Sequence, residues 1–398
     1  MPEIKPPGIE RILGMEVYKS KTPGLGGEIK QLPADFIVEE ITPGGLILEA
    51  GKSLGLEPGR TGEQLHLTLE KKNRSTLEAV KRLSNALRVS RKRIGFAGTK
   101  DKRALTTQRI SVWNISPSDL ERVSLKDICL RDYSYSDKRL NLGDLQGNRF
   151  TLRIRGIDLS GKEIRGRVDK INNELRAGFP NFFGIQRFGS MRPITHLVGK
   201  EIVKGNLEDA VMVYLTNSFQ GESDSAREAR ESLRISRDCR QAVKEYPRHL
   251  EYEHSLMNHL IRNEGDYGGA LKQLPPGLKR MFVHAYQSFI FNRALSYYLR
   301  EQIPVERLPL VGFKSGVDEV TASILEDEGV SVNDFRAGSL PELGSGGILR
   351  DAFVVYHDFE VLGVSGDDLS PGKHMVELRF VLSKGCYATS LLREFMKI

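Results

Sequence analysis

Long apolar runs are missing from this 398-residue chain, and none approaches the roughly 18 residues that a membrane-spanning helix requires. The opening Met1-Pro2-Glu3-Ile4-Lys5-Pro6-Pro7 carries Pro and Glu where a secretion signal needs an apolar centre. Membrane insertion and secretion are therefore not expected, and the cytoplasm is the expected location. Cysteine is scarce as well. Cys129, Cys239 and Cys386 lie more than a hundred residues apart, which excludes a disulfide framework and any zinc site built on a CxxC pair. HExxH, a Cys/His quartet and the GxxxxGK[ST] phosphate loop do not occur, and His249, His254 and His259, spaced by five, point in different directions on a helix. Neither a metal nor a nucleotide-triphosphate site is expected. What is present is 39% apolar residues, with 17 Phe and 12 Tyr spread along the length, enough for cores in two or three folded domains rather than a disordered chain.

The net charge of +7 is modest but unevenly spread. Between Lys71 and Arg109, thirteen Lys or Arg meet only two acids, Glu78 and Asp101, so the rest of the chain is net acidic. A basic block of this kind is the electrostatic footprint of a phosphate-backbone partner. A solvated helix face is the plainer account of a charge run. This block, however, crosses a helix, a loop and a strand, which favours a polyanion surface.

Periodicity makes the first third α+β. Residues 29–40 read as strand, turn, strand, and Leu65, Leu67 and Leu69 alternate on one face of a strand starting at Gln64. Ser75-Thr76-Leu77-Glu78 has capping-box spacing, and Leu77, Val80, Leu83 and Leu87 follow at helical intervals, which predicts a helix over 76–88. Strands over 94–97 and 109–113 flank a loop at Gly98–Lys102, and Phe150, Leu152 and Ile154 alternate with Thr151, Arg153 and Arg155 in another strand. Residues 205–301 are helical in pattern, and the aromatic stripe Phe282, Tyr286, Phe289 and Tyr298 reads as core rather than as a base-stacking platform. Strand character returns at 374–382, followed by a helix presenting Leu391, Leu392 and Phe395. If late strands complete the early sheet, the chain carries an insertion: one domain of 1–177 plus 353–398, interrupted by a second over 178–352.

Asp101 is the sharpest local signal, as the only carboxylate between Ala79 and Ser118 on a loop that also holds Lys100, Lys102 and Arg103. Flanking cations favour an ionised carboxylate, which can act as nucleophile or base. A turn Asp pairing with a neighbouring Lys at the surface accounts for these residues equally well.

Six segments, Gly27–Phe36 with Glu39-Glu40, Phe96–Ala104 with Thr107-Gln108, Gly147-Asn148-Arg149-Phe150, Pro180–Gly189, Ala285–Arg293 and Lys384–Glu394, occur in the order and spacing of one family. Together they resemble the TruD family of tRNA pseudouridine synthases, over essentially the whole chain. The resemblance implies an α+β pseudouridine-synthase catalytic domain with a mixed, largely antiparallel sheet, interrupted by an inserted α/β TRUD domain. It also implies the activity: isomerisation of a uridine in tRNA, expected at position 13, using an aspartate and no cofactor. The implied partner is tRNA, with no membrane and no metal.

By that resemblance Asp101 is the catalytic residue and Lys30 a lysine beside it. Phe36 touches the substrate, Asn148 offers its amide to the carboxylate or the uracil edge, and Phe150 stacks on an extruded base. Tyr387 is the aromatic residue of the closing motif, placed to contact the target nucleotide. On pattern alone each has a plainer reading: a surface Lys, a packed strand Phe, a turn Asn, a core Phe and a helix-packing Tyr. Cys386 stands where many relatives carry Ser and reads as a small buried residue. Two rival functions stay open, a non-catalytic RNA-binding or RNA-folding protein with the same basic cleft, and an RNA-directed glycosidase that releases free uracil.

Overall fold

The computed structural model describes residues 4–55 and 62–398; residues 1–3 of the opening stretch lie outside them. The chain divides into two compact units, one made of Thr22–Gly178 with Val355–Ile398, the other of Phe179–Val354 with the segment ending at Lys21.

Among the described residues six strands precede the junction at Gly178: β1 (Phe36–Ile41), β2 (Gln64–Lys72), β3 (Ile94–Phe96), β4 (Leu105–Trp113), β5 (Ile128–Ser136) and β6 (Gly147–Ile157). Four short strands belong to the second unit: β7 (Phe179–Pro180), β8 (Arg307–Leu310), β9 (Ile348–Asp351) and β10 (Phe353–Val354). The chain then returns with β11 (His357–Gly366) and β12 (His374–Ser383).

The first unit is α+β, with an eight-stranded mixed sheet in the order β11-β12-β6-β1-β4-β2-β5 and β3 paired to β4. Among the described residues only β1 and β4 run parallel. The late strands do complete the early sheet, since β12 pairs with β6 from His374↔Ile157 to Ser383↔Gly147. Two strands share one edge of β4: β1 takes Leu105–Thr107 and β3 takes Ile110–Val112, so Gln108 and Arg109 fall between them. Registered partners point to the same side of a sheet. One face therefore carries Phe36, Val38 and Glu40 of β1, Asn148 and Phe150 of β6, Thr106, Gln108 and Ile110 of β4, and Leu65, Leu67, Leu69 and Lys71 of β2.

The helix Thr76–Ala86 covers part of that face, its Ala79, Val80 and Leu83 packing with Leu65, Leu67, Leu69, Ile110 and Val112. Ser75 caps it, Oγ accepting from the Glu78 amide at 3.1 Å. Leu77, counted above in the apolar stripe, is instead 62% exposed. The strand expected to precede β1 is also not formed. Glu28 makes only an isolated bridge to Arg155, Lys30 takes a left-handed φ of 61°, and a 3-10 turn at Pro33–Asp35 leads into β1. That turn is anchored by Arg155, whose buried guanidinium joins Asp35 (2.9 Å), Asp367 (2.8 Å) and Asp368 (2.5 Å).

The second unit is mainly helical, and its strands form two short ribbons, β7 with β10 and β8 with β9. The helix Pro276–Arg300 buries Phe282, Tyr286, Ile290 and Leu295 in the core, as read from the sequence, with Phe289 and Tyr298 partly buried against it. Leu13 and Met15 join this core, which differs from the expected boundary at residue 1 of the sheet domain. Asn292 Nδ2 donates to Leu13 O (3.0 Å) and Ser296 Oγ to Gly14 O (2.6 Å). Gly14, at φ 80°, permits this approach, because a Cβ there would meet the Arg293 amide nitrogen at 2.9 Å. Among the described residues no helix is long and apolar enough to cross a membrane.

Candidate active site

The break between β1 and β3 along β4 is closed by side chains. Glu40 Oε1 accepts from the Arg109 amide (2.9 Å), replacing a missing strand partner, while Oε2 pairs with Lys100 Nζ at 2.5 Å. Both side chains are buried. The Lys100 amide donates to Thr76 Oγ1 (2.9 Å), Thr76 Oγ1 donates to Gln108 Oε1 (2.8 Å), and Gln108 Nε2 donates to Gly98 O (3.0 Å). Lys71 reaches the loop from β2, its Nζ donating to Arg74 O (2.7 Å), Asp101 O (2.8 Å) and, at 3.4 Å, Lys100 O. Burial pushes the Lys71 pKa down to about 8; the Asp101 charge opposes this shift and the Lys100 charge adds to it.

On this held loop the Asp101 side chain stays 41% exposed, paired with Lys30 Nζ at 3.2 Å. The same ammonium lies 4.1 Å from the Phe36 ring centroid. Phe36 meets Phe150 edge-on at 6.2 Å, and Phe150 stacks on Phe380 at 5.5 Å. Asp101, Lys30, Phe36 and Phe150 thus form one continuous run of contacts. Asn148 lies opposite Glu40 in the register, and its Oδ1 is buried with no hydrogen-bond partner among the described residues. Tyr387 is 42% exposed at the N-cap of the helix Ala388–Met396, beyond the end of β12 whose Leu382 pairs with Asn148.

The basic block divides in two. Lys71 and Lys100 are buried, Arg74 is paired with Glu78 (2.7 Å) and Asp127 (2.9 Å), and the Arg109 guanidinium bonds Asp132 O (3.2 Å) and Ser134 Oγ (2.6 Å) inside the sheet unit. The exposed cations are Lys72, Lys81, Arg88, Arg91, Lys92, Lys102 and Arg103. Cys386 is half-buried rather than buried. Among the described residues no group of three or more His, Cys, Asp or Glu is placed to hold a metal. From the sequence, Lys71 fell in the basic block, Thr76 in the capping box, and Glu40 and Gln108 in matched segments, but none was assigned to the site. One signal for Lys71 was there: it continues the inward phase of Leu65, Leu67 and Leu69.

A mixed sheet completed across a long excursion, with a half-exposed carboxylate paired to a lysine that lies over a buried aromatic ring, marks a two-unit α+β protein. The family model described as tRNA pseudouridine synthase D (TruD) matches residues 12–312 and 307–395. A Methanosarcina acetivorans protein named "Probable tRNA pseudouridine synthase D" is 39% identical, covering 100% of this chain and 99% of its own. A Methanocaldococcus jannaschii protein named "Probable tRNA pseudouridine synthase D 1" is also 39% identical, over 94% of this chain and 96% of its own. The crystal structure of the TruD protein from Methanosarcina mazei superposes with a TM-score of 0.83 at 38% identity, over 98% of each chain. The chain belongs to the TruD family.

Proposed function

We propose that this protein is a tRNA pseudouridine synthase that converts uridine to pseudouridine at position 13 of tRNA, with Asp101 as the catalytic residue and no cofactor. Family membership and the names of its relatives support the activity. The observation that carries the site is that the loop backbone is tied down by buried groups while its carboxylate stays 41% exposed beside Lys30. The sheet unit is then the catalytic domain, and Phe179–Val354 belongs to the family's inserted domain.

Isomerisation conserves atoms: the C1′–N1 bond breaks, C1′–C5 forms, and the proton lost from C5 is balanced by one gained at N1. One positioned carboxylate, acting as nucleophile or base, suffices for such a sequence. Lys30 orients it, and the half-buried Asn148 side-chain amide is the group suited to the uracil edge. Phe36 and Phe150, almost fully buried, floor the site, and the exposed Tyr387 ring is the surface for the target nucleotide.

The test is a single-turnover reaction on unmodified tRNA with site-resolved mapping of pseudouridine, comparing wild type and Asp101→Asn. Product at one uridine is expected with wild type and none with the variant. Product from the variant removes Asp101 from its role. No product from wild type despite salt-sensitive binding favours an RNA-binding protein, and free uracil indicates a glycosidase.

A further inference from the structure

Lys71 is a buried cation that the chemistry above leaves unused. Its Nζ meets three backbone carbonyls, those of Arg74, Lys100 and Asp101, which matches the three donors of an ammonium. Among the described residues no carboxylate lies within ion-pairing distance of it. A cation buried on carbonyl dipoles alone is costly, and its position is the next inward one after Leu65, Leu67 and Leu69, where an apolar side chain would continue the core. One of the three carbonyls belongs to Asp101 itself, and another to the residue before it.

We propose that Lys71 is a positioning residue for Asp101: its ammonium ties the backbone of the loop to the turn after β2 and so sets where the carboxylate stands. This rests on the reading of Asp101 as the catalytic residue. The charged groups facing Lys71 are each engaged elsewhere: Lys100 with Glu40, the Asp101 carboxylate with Lys30, and Arg74 with Glu78 and Asp127. Burial lowers the Lys71 pKa to about 8, so its own charge is lost near that pH.

Two consequences have opposite signs. Deprotonation above about pH 8 weakens the tether and lowers the rate. Because the folded pKa lies below the ordinary 10.5, the unfolded chain binds the extra proton between those two values, so stability rises with pH over the same window. A lysine that only supported the fold would not pull rate and stability apart.

The experiment compares full-length wild type, Lys71→Met and Asp101→Asn in single-turnover rate, tRNA affinity and melting temperature from neutral to alkaline pH. Lys71→Met should lower the rate about 100-fold, the scale of a misplaced reacting group, with affinity unchanged. Wild type should lose rate and gain melting temperature above about pH 8, and the variant should show neither change. A wild-type rate in Lys71→Met with an inactive Asp101→Asn overturns this inference alone, whereas product from Asp101→Asn overturns the reading of Asp101. Should Lys71→Met not fold, a wild-type rate that stays flat through the alkaline range overturns the inference.

Discussion

Glu40→Gln removes the charge on which the closure of β4 depends while keeping the side chain's shape. In the wild type one carboxylate serves the Arg109 amide at 2.9 Å and the Lys100 ammonium at 2.5 Å, with both side chains buried. Breaking a buried ion pair by removing one partner costs about 3–5 kcal/mol, chiefly because the other charge is left uncompensated. The Gln carbonyl can still accept one hydrogen bond, worth about 1.5–3 kcal/mol when the donor is charged, so the expected net loss is about 2 kcal/mol. Trp113, the only tryptophan, ends β4, so its fluorescence in urea follows the sheet unit without a signal from the helical one. The double variant with Lys100→Met removes both charges, and its loss should fall short of the sum of the single losses by about 2 kcal/mol. The coupling should also survive added salt, since neither group is solvated. A loss within about 0.5 kcal/mol for Glu40→Gln, the range of an ordinary surface change, would refute the reasoning, as would strict additivity.

Arg155→Met leaves Asp35 and Asp367 buried without their counter-charge, and a loss of about 3–5 kcal/mol is expected in the same fluorescence assay. Burial alone would raise the Asp367 pKa, but the Leu369 and Gly156 amides and the Arg155 guanidinium outweigh it and hold it below 3.8. Its stabilising contribution is thus complete above the unfolded value and fades as pH falls below 3.8; acid unfolding of wild type should show this loss, and Arg155→Met should show less of it. For RNA affinity, neutralising the exposed pair Arg91 and Lys92 should reduce the slope of log affinity against log salt by about 2, one for each phosphate left without its cation. An unchanged slope would put the RNA elsewhere on the molecule.

What the sequence discloses about this fold follows from where polar residues are buried. β2, β6 and β12 alternate apolar with polar residues in sequence, because their apolar side chains share one face, and the covering helix announces itself through its Ser75 cap. Of β4 the sequence pattern shows only 109–113, yet the strand begins at Leu105, since Thr106, Thr107 and Gln108 are polar but buried. Thr107 bonds Leu48 O, 59 residues away, and Gln108 bonds Gly98 O across the intervening loop, pairings that strand periodicity does not encode. The strands β5 and β11 lie at the sheet's edges and lack a strict apolar alternation, which hides them. At the site, the isolation of Asp101 among cations is visible as charge, whereas Lys71 and Lys100 look like two more members of a phosphate surface. Their burial becomes apparent only with the carbonyls and the carboxylate that receive them.

The order of the sheet also has a consequence for how the protein is made. β6 ends at Ile157 and β12 begins at His374, so a ribosome adding about 5–20 residues per second leaves roughly 10–40 s between the two. During that interval β6 has β1 on one side and an open hydrogen-bonding edge on the other, and Phe150 lacks the ring of Phe380. An unpaired strand with an apolar face invites association with other nascent chains. Chaperone dependence during synthesis, and the insolubility of chains stopped before β12, should both trace to this single edge.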